Sequence, residues 1–109
     1  MSDNGGAIQA YAGGKSGPRA CNFPYRGYKR TLFEGGTLSP TLLYSTKRNF
    51  IKKKITNMVH ITDWFLTFLN WAGYAGQVPT NLDGVDQRNA FEVAKAPKPR
   101  NKFIYGNFS

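Results

Sequence analysis

A chain of 109 residues is long enough for one small domain and too short for two. With 40% hydrophobic and 15% aromatic residues it can form a core, which argues against a disordered chain. Fifteen Lys and Arg against six acids give a formal net charge of +9, which suits a polyanionic partner, although the cations cluster only at Lys47-Arg48, Lys52-Lys53-Lys54 and Lys95 to Lys102.

Residues 1–24 are rich in Gly, Ser and Asn, with Gly5-Gly6, Gly13-Gly14 and Gly17-Pro18 as turn signals, and read as loop. Cys21 stands alone, so no internal disulfide, Cys-rich zinc site or paired redox motif is available, and its thiol reads as inert. Residues 28–34 suggest a short strand ending at Gly35-Gly36. Thr41-Leu42-Leu43-Tyr44-Ser45 is a better strand candidate, β-prone and bounded by Pro40 and a basic turn.

The clearest element is a helix from about Asp63 to Ala72. Ile61, Trp64, Phe65, Phe68, Leu69 and Ala72 fall on one apolar stripe that needs a sheet to cover it. Thr62 is placed to cap this helix, Asp63 puts negative charge at the positive end of its dipole, and Gly73 stops it. Thr67 and Asn70 break the longest apolar stretch, so nothing approaches the ~18 residues of a membrane-crossing helix. Leu82-Asp83-Gly84-Val85-Asp86 reads as a turn, Gln87–Val93 as a short helical stretch, and Lys102-Phe103-Ile104-Tyr105 as a terminal strand after the Pro97/Pro99 loop.

Two segments carry candidate chemistry. In Ser2-Asp3-Asn4-Gly5-Gly6 a carboxylate and an amide oxygen stand side by side, hard donors suited to Ca²⁺ or Mg²⁺, and the same residues also make an ordinary turn. Arg26-Gly27-Tyr28-Lys29-Arg30 sets three cations around one glycine, which suits either a tetrahedral oxyanion or a solvated basic loop.

Five strings, Ser2 through Gly6, Asn22 through Lys29, Leu32-Phe33-Glu34-Gly35-Gly36, His60-Ile61-Thr62-Asp63-Trp64 and Leu82 through Asp86, occur in an order that resembles the arylsulfatase family. The resemblance is strongest to its arylsulfatase B (N-acetylgalactosamine-4-sulfatase) branch and runs from Ser2 to about Tyr105. It implies an α/β fold, here the C-terminal portion of an alkaline-phosphatase-like sulfatase core with a few strands and one clear helix, incomplete as a stand-alone fold. The portion divides into active-site loops and a short strand (1–36), strand, basic turn and helix (37–73), and turn, short helix and terminal strand (74–109).

The same resemblance implies that Asp3 and Asn4 ligate an active-site Ca²⁺ and that Lys29 contacts the substrate sulfate. The Thr-Asp-Trp helix and the Leu-Asp-Gly turn are structural in the family, which leaves His60 without a catalytic part. The implied substrate is a sulfated one such as a glycosaminoglycan or an aryl sulfate, with no nucleic-acid or membrane partner. The family is lysosomal or secreted. No leader-like segment opens this chain, so its own location is left open. Asn107-Phe108-Ser109 fits a glycosylation sequon.

The chain departs from the family pattern in its nucleophile. The family's Cys-x-Pro-Ser-Arg motif supplies a formylglycine, whereas Cys21 here precedes Asn-Phe-Pro-Tyr. The aspartates completing the metal site and the proton-handling histidines are also missing, and Leu38 replaces a family Arg. The expectation is a sulfatase portion that is inactive alone. The alternatives are a non-catalytic relic that binds sulfated polyanions through Lys29, Arg30 and Lys52–Lys54, or a basic nucleic-acid module using Tyr25, Tyr28 and Phe33 as stacking platforms.

Overall fold

The computed structural model describes residues 1–7, 20–50, 54–102 and 104 and has three short helices among them: α1 (Glu34–Thr37), which stands where a short strand and a glycine break were expected, α2 (Asp63–Trp71) and α3 (Arg88–Glu92). The chain forms two compact units, Met1–Leu43 and Tyr44–Ser109. The first holds α1 and the second α2 and α3.

Helix α2 matches its expected span, and Ala72 is its C-cap. Gly73 takes φ +71° just beyond it. The Gly73 amide donates to the Asn70 carbonyl at 3.2 Å and the Tyr74 amide to the Leu69 carbonyl at 3.1 Å. This reciprocal pair satisfies the carbonyls left free at a helix C-terminus and stops the helix where the glycine permits the left-handed turn. At the other end the Thr62 hydroxyl makes no cap. It pairs with His60 Nδ1 at 2.9 Å, while Asp63 Oδ2 reaches back to accept the His60 amide at 2.9 Å. That amide precedes α2, so the bond fastens the chain leading into the helix and does not cap the helix's own first-turn amides.

The expected α/β core, a partial alkaline-phosphatase-like sheet with a helix, is not formed: the described residues contain no strand. A strand is stable only when a neighbour completes its ladder of amide and carbonyl bonds. Residues 41–45 run irregularly with Leu42 and Tyr44 more than 80% exposed. Residues 28–33 fold back on themselves instead, the Thr31 amide donating to the Tyr28 carbonyl at 2.9 Å, and then enter α1. In the proposed terminal strand, Phe103 and Tyr105 lie outside the described residues, and Lys102 and Ile104 are exposed and belong to no strand.

The core of the second unit is small and aromatic. Trp64 stacks on Phe91 of α3 with centroids 5.6 Å apart, and Trp71 meets Phe91 at 5.9 Å and Phe50 at 5.3 Å. Arg48 ties this cluster together by pairing with Glu92 at 3.3 Å and donating to the Trp71 carbonyl. Glu92 also accepts the Trp71 indole N–H at 2.9 Å.

The buried residues of α2 are Asp63, Trp64 and Thr67, so the inward face carries two polar side chains beside the tryptophan. The single apolar stripe read from the sequence is therefore split: Trp64 goes in, while Ile61, Phe65 and Phe68 remain more than half exposed. Because Phe65 touches little of the core, Phe65→Ser is expected to change unfolding free energy by no more than about 0.5 kcal/mol while lowering the binding of a hydrophobic dye. A loss above about 2 kcal/mol in a urea titration would show that this face is covered.

Candidate functional site

In the first unit the segment carrying Asp3 and Asn4 is locked to the turn carrying Lys29 through backbone bonds that glycine makes possible. The Ser2 amide donates to the Pro40 carbonyl at 3.1 Å and the Gly5 amide to the Gly36 carbonyl at 3.0 Å. At this approach a Cβ on Gly5 would lie 1.8 Å from the Gly35 carbonyl oxygen, so only glycine fits. One residue on, the Gly6 carbonyl accepts the Lys29 amide at 3.0 Å. The Gly35 amide donates to the Arg26 carbonyl at 2.7 Å and completes the cluster.

Asn22 staples these loops. Its Oδ1 accepts the Gly6 amide at 2.9 Å, and its Nδ2 donates to the Gly6 carbonyl at 3.0 Å and the Gly27 carbonyl at 3.2 Å. No periodicity marks such a residue. The available signal is an amide side chain in a glycine-rich loop, where it can stand in for a backbone partner.

Lys29 and Arg30 occupy the two central positions of the Tyr28–Thr31 turn, both exposed, with Arg30 at φ +79°. Thr31 Oγ1 braces the turn by accepting the Tyr28 amide at 3.1 Å and donating to the Tyr28 carbonyl at 2.8 Å. Arg26 lies over the Phe33 ring at 4.1 Å. Asp3 is exposed and Asn4 half-buried, with the Asn4 carbonyl accepting the Ser2 hydroxyl at 2.9 Å. The candidate residues Asp3, Asn4 and Lys29 thus share one hydrogen-bonded loop cluster. Cys21 is a free, exposed thiol, and Asn107 lies outside the described residues.

The donor set sets a limit on cation binding. A carboxylate and an amide oxygen are the right kind of donor for a hard cation, but Ca²⁺ takes about six to eight oxygens. Among the described residues no group of three or more His, Cys, Asp or Glu side chains could hold a metal ion. Among the described residues, Asp3 and Asn4 are donors of the right kind for Ca²⁺ and are too few to complete its shell.

The second unit contains a polar centre that supports structure. Asp63 is fully buried, and its carboxylate accepts the amides of His60 and Val85 and the Gln87 Nε2, each at 2.9 Å. Arg100 grips the same carboxylate through Nε and through Nη2 at 2.6 Å, and its Nη2 also donates to the Asp83 carbonyl. Thr67 Oγ1 extends the network, donating to the Asp63 carbonyl at 2.7 Å and accepting the Gln87 amide at 3.0 Å. Gln87 Oε1 is buried with no hydrogen-bond partner among the described residues. The Leu82–Asp86 turn is thereby fastened to the start of α2. His60 contributes its amide to this centre and directs its ring to Thr62.

Burial pushes the Asp63 carboxyl up, but the Arg100 fork and the His60, Val85 and Gln87 hydrogen bonds outweigh it and hold the group below the usual 3.8. A carboxyl lowered in the folded state adds stability above its unfolded pKa, and that stability is lost as pH falls through the folded value. Urea midpoints of the chain are therefore expected to hold steady from roughly pH 7 to about pH 5 and to fall below about pH 4. A midpoint that climbs on acidification would contradict this arrangement.

No protein-family model matches the chain, and no solved structure matches it significantly. Over 90 residues, however, it is 40% identical to Arylsulfatase J of Mus musculus. The similarity supports the arylsulfatase family. It covers 78% of this chain and 13% of that relative, so the chain spans about an eighth of the length of the arylsulfatase it matches. The match supports the family as a whole and does not single out the B branch.

Proposed function

We propose that this chain is a segment of a sulfuric ester hydrolase of the arylsulfatase type, with Asp3 and Asn4 as two ligands of a Ca²⁺ ion and Lys29 as the contact to the substrate sulfate. The observation that carries the reading is the 40% identity to an arylsulfatase over most of the chain. The loop cluster adds to it, because the Gly6 carbonyl ties the Lys29 turn two residues from Asn4. The closer kinship to arylsulfatase B rests on the order of the five motifs alone, and hydrolysis of a glycosaminoglycan or aryl sulfate belongs to a whole sulfatase.

In this reading a bound Ca²⁺ supplies positive charge that polarises a sulfate ester. Lys29 binds a sulfate oxygen with its ammonium group and steadies negative charge that moves onto the departing oxygen. The Lys29 turn is held by its own amide, so the side chain is free to meet an anion. No formylglycine precursor motif occurs in this chain, Cys21 being in the wrong context, so the nucleophile has to come from elsewhere. The 109-residue chain alone is expected not to turn over a chromogenic aryl sulfate.

A Ca²⁺ titration read by amide shifts tests the ligand assignment. Shifts at Asp3, Asn4 and Gly5 are expected at about millimolar ion, the range of weak sites with few protein ligands, and Asp3→Asn should abolish them. Unmoved signals at about tenfold higher Ca²⁺ would remove Asp3 and Asn4 from the metal site.

A further inference from the structure

Asn4 is followed by Gly5, and this pair carries a reaction that needs nothing beyond the chain and water. The Gly5 nitrogen, on losing its proton, adds to Asn4 Cγ, and glycine has no Cβ to hinder the approach. A new N–Cγ bond closes a five-membered imide, the Cγ–Nδ2 bond breaks, and ammonia leaves with the proton. Water then opens the imide at either carbonyl, giving aspartate or isoaspartate at position 4. No oxidant or reductant enters the balance. No other asparagine of the chain precedes a glycine.

The folded first unit withholds the nucleophile. Gly5 is buried, and its amide donates to the Gly36 carbonyl at 3.0 Å. The imide nitrogen carries no hydrogen, so the imide and this bond exclude each other. The backbone is also pinned on both sides of the pair. The Ser2 amide donates to the Pro40 carbonyl at 3.1 Å, and Asn22 Oδ1 accepts the Gly6 amide at 2.9 Å. Asn4 itself is half-buried, and its carbonyl accepts the Ser2 hydroxyl at 2.9 Å. Reaction therefore requires the segment to leave its seat on Gly35 and Gly36, a local opening whose population sets the rate.

We infer that Asn4 is a latent deamidation site, silent while the Gly5–Gly36 bond is closed and converted when that segment opens. The isoaspartate product then acts as a ratchet. Its main chain runs through the former side-chain carbon, which adds one methylene directly before Gly5. The fit around Gly5 is tight, since even a Cβ there would lie 1.8 Å from the Gly35 carbonyl oxygen and 2.7 Å from Gly36 Cα. A chain displaced by one atom does not return the Gly5 amide to the Gly36 carbonyl. The inference stands whether or not Asn4 holds Ca²⁺.

The test is incubation of the full 109-residue chain at mildly alkaline pH with a chelator present. Peptide mapping that separates asparagine, aspartate and isoaspartate reads position 4. In denaturing urea Asn4 should be consumed at least about tenfold faster than in native buffer. Asn22→Ala removes the staple on Gly6 and leaves the Asn4-Gly5 pair chemically intact. Its conversion in native buffer should rise at least about threefold, up to the urea rate where the unit unfolds. Equal wild-type conversion in urea and native buffer would overturn protection by the fold, and an intact Asn4 in urea would overturn the site. Neither result needs a variant to fold. An Asn22→Ala rate equal to wild type would show that the stapled loop is not the gate. Restored exchange protection of the Gly5 amide, in chain purified with isoaspartate at position 4, would overturn the ratchet.

Discussion

Asp63→Ala is expected to unfold the 44–109 unit under conditions where the parent chain holds its fold. The substitution removes one partner of a buried ion pair and leaves Arg100, whose side chain is only 12% exposed, without its carboxylate. Breaking such a pair from one side costs about 3–5 kcal/mol. The His60 and Val85 amides and the Gln87 Nε2 lose an acceptor in the same step. Domains of this size have only about 5–15 kcal/mol in total, and a core of three buried apolar residues among those described, Trp64, Ala90 and Phe91, places this unit low in that range. Both tryptophans of the chain, Trp64 and Trp71, lie in the unit, so their fluorescence during urea unfolding reads the loss directly. Arg100→Lys keeps the charge but loses the two-pronged grip, and an intermediate loss is expected. A change below about 1 kcal/mol for Asp63→Ala would mean that the carboxylate does not organise this unit.

Gly5→Ala should do comparable damage to the first unit. The new methyl group would overlap the Gly35 carbonyl oxygen at 1.8 Å and crowd Gly36 Cα at 2.7 Å, both of them backbone atoms that cannot rotate away. Forced overlap in a packed region costs typically about 1–3 kcal/mol and more where backbone is involved. Hydrogen exchange is the measurement to make. Protection should be lost at Gly5 and also at Gly6, Lys29 and Gly35, whose amides belong to the same bonded cluster. Gly73→Ala is the contrasting case: nothing lies within 4 Å of the added carbon, so only the left-handed backbone is penalised, by about 1 kcal/mol. Unchanged protection at Lys29 in Gly5→Ala would separate the Asp3 loop from the Lys29 turn.

Structure that depends on neighbours along the chain is legible in the sequence. Helix α2, its stop at Gly73 and the short helix after Gln87 follow from periodicity and a single glycine. Structure whose partner comes from far along the chain is not legible there. Residues 41–45 have strand-forming side chains, but no described segment pairs with them. Arg100 meets Asp63 across 37 positions from a loop with no pattern of its own, and Asn22 reaches Gly6 across 16. Thr62 is the cap expected by residue type, yet its hydroxyl pairs with His60 Nδ1 and makes no cap bond. The motifs carrying Asp3, Asn4 and Lys29 were visible as a string, while the glycine contacts that join them were not.

The division of labour between the two kinds of basic residue has a practical consequence. The ion pairs of Arg48 and Arg100 join segments of the second unit that are far apart in the sequence, while Lys54, Lys95 and Lys98 lie around a concave pocket in it. Reagents that acylate amines will therefore strip the pocket of its charge while leaving the guanidinium scaffold intact.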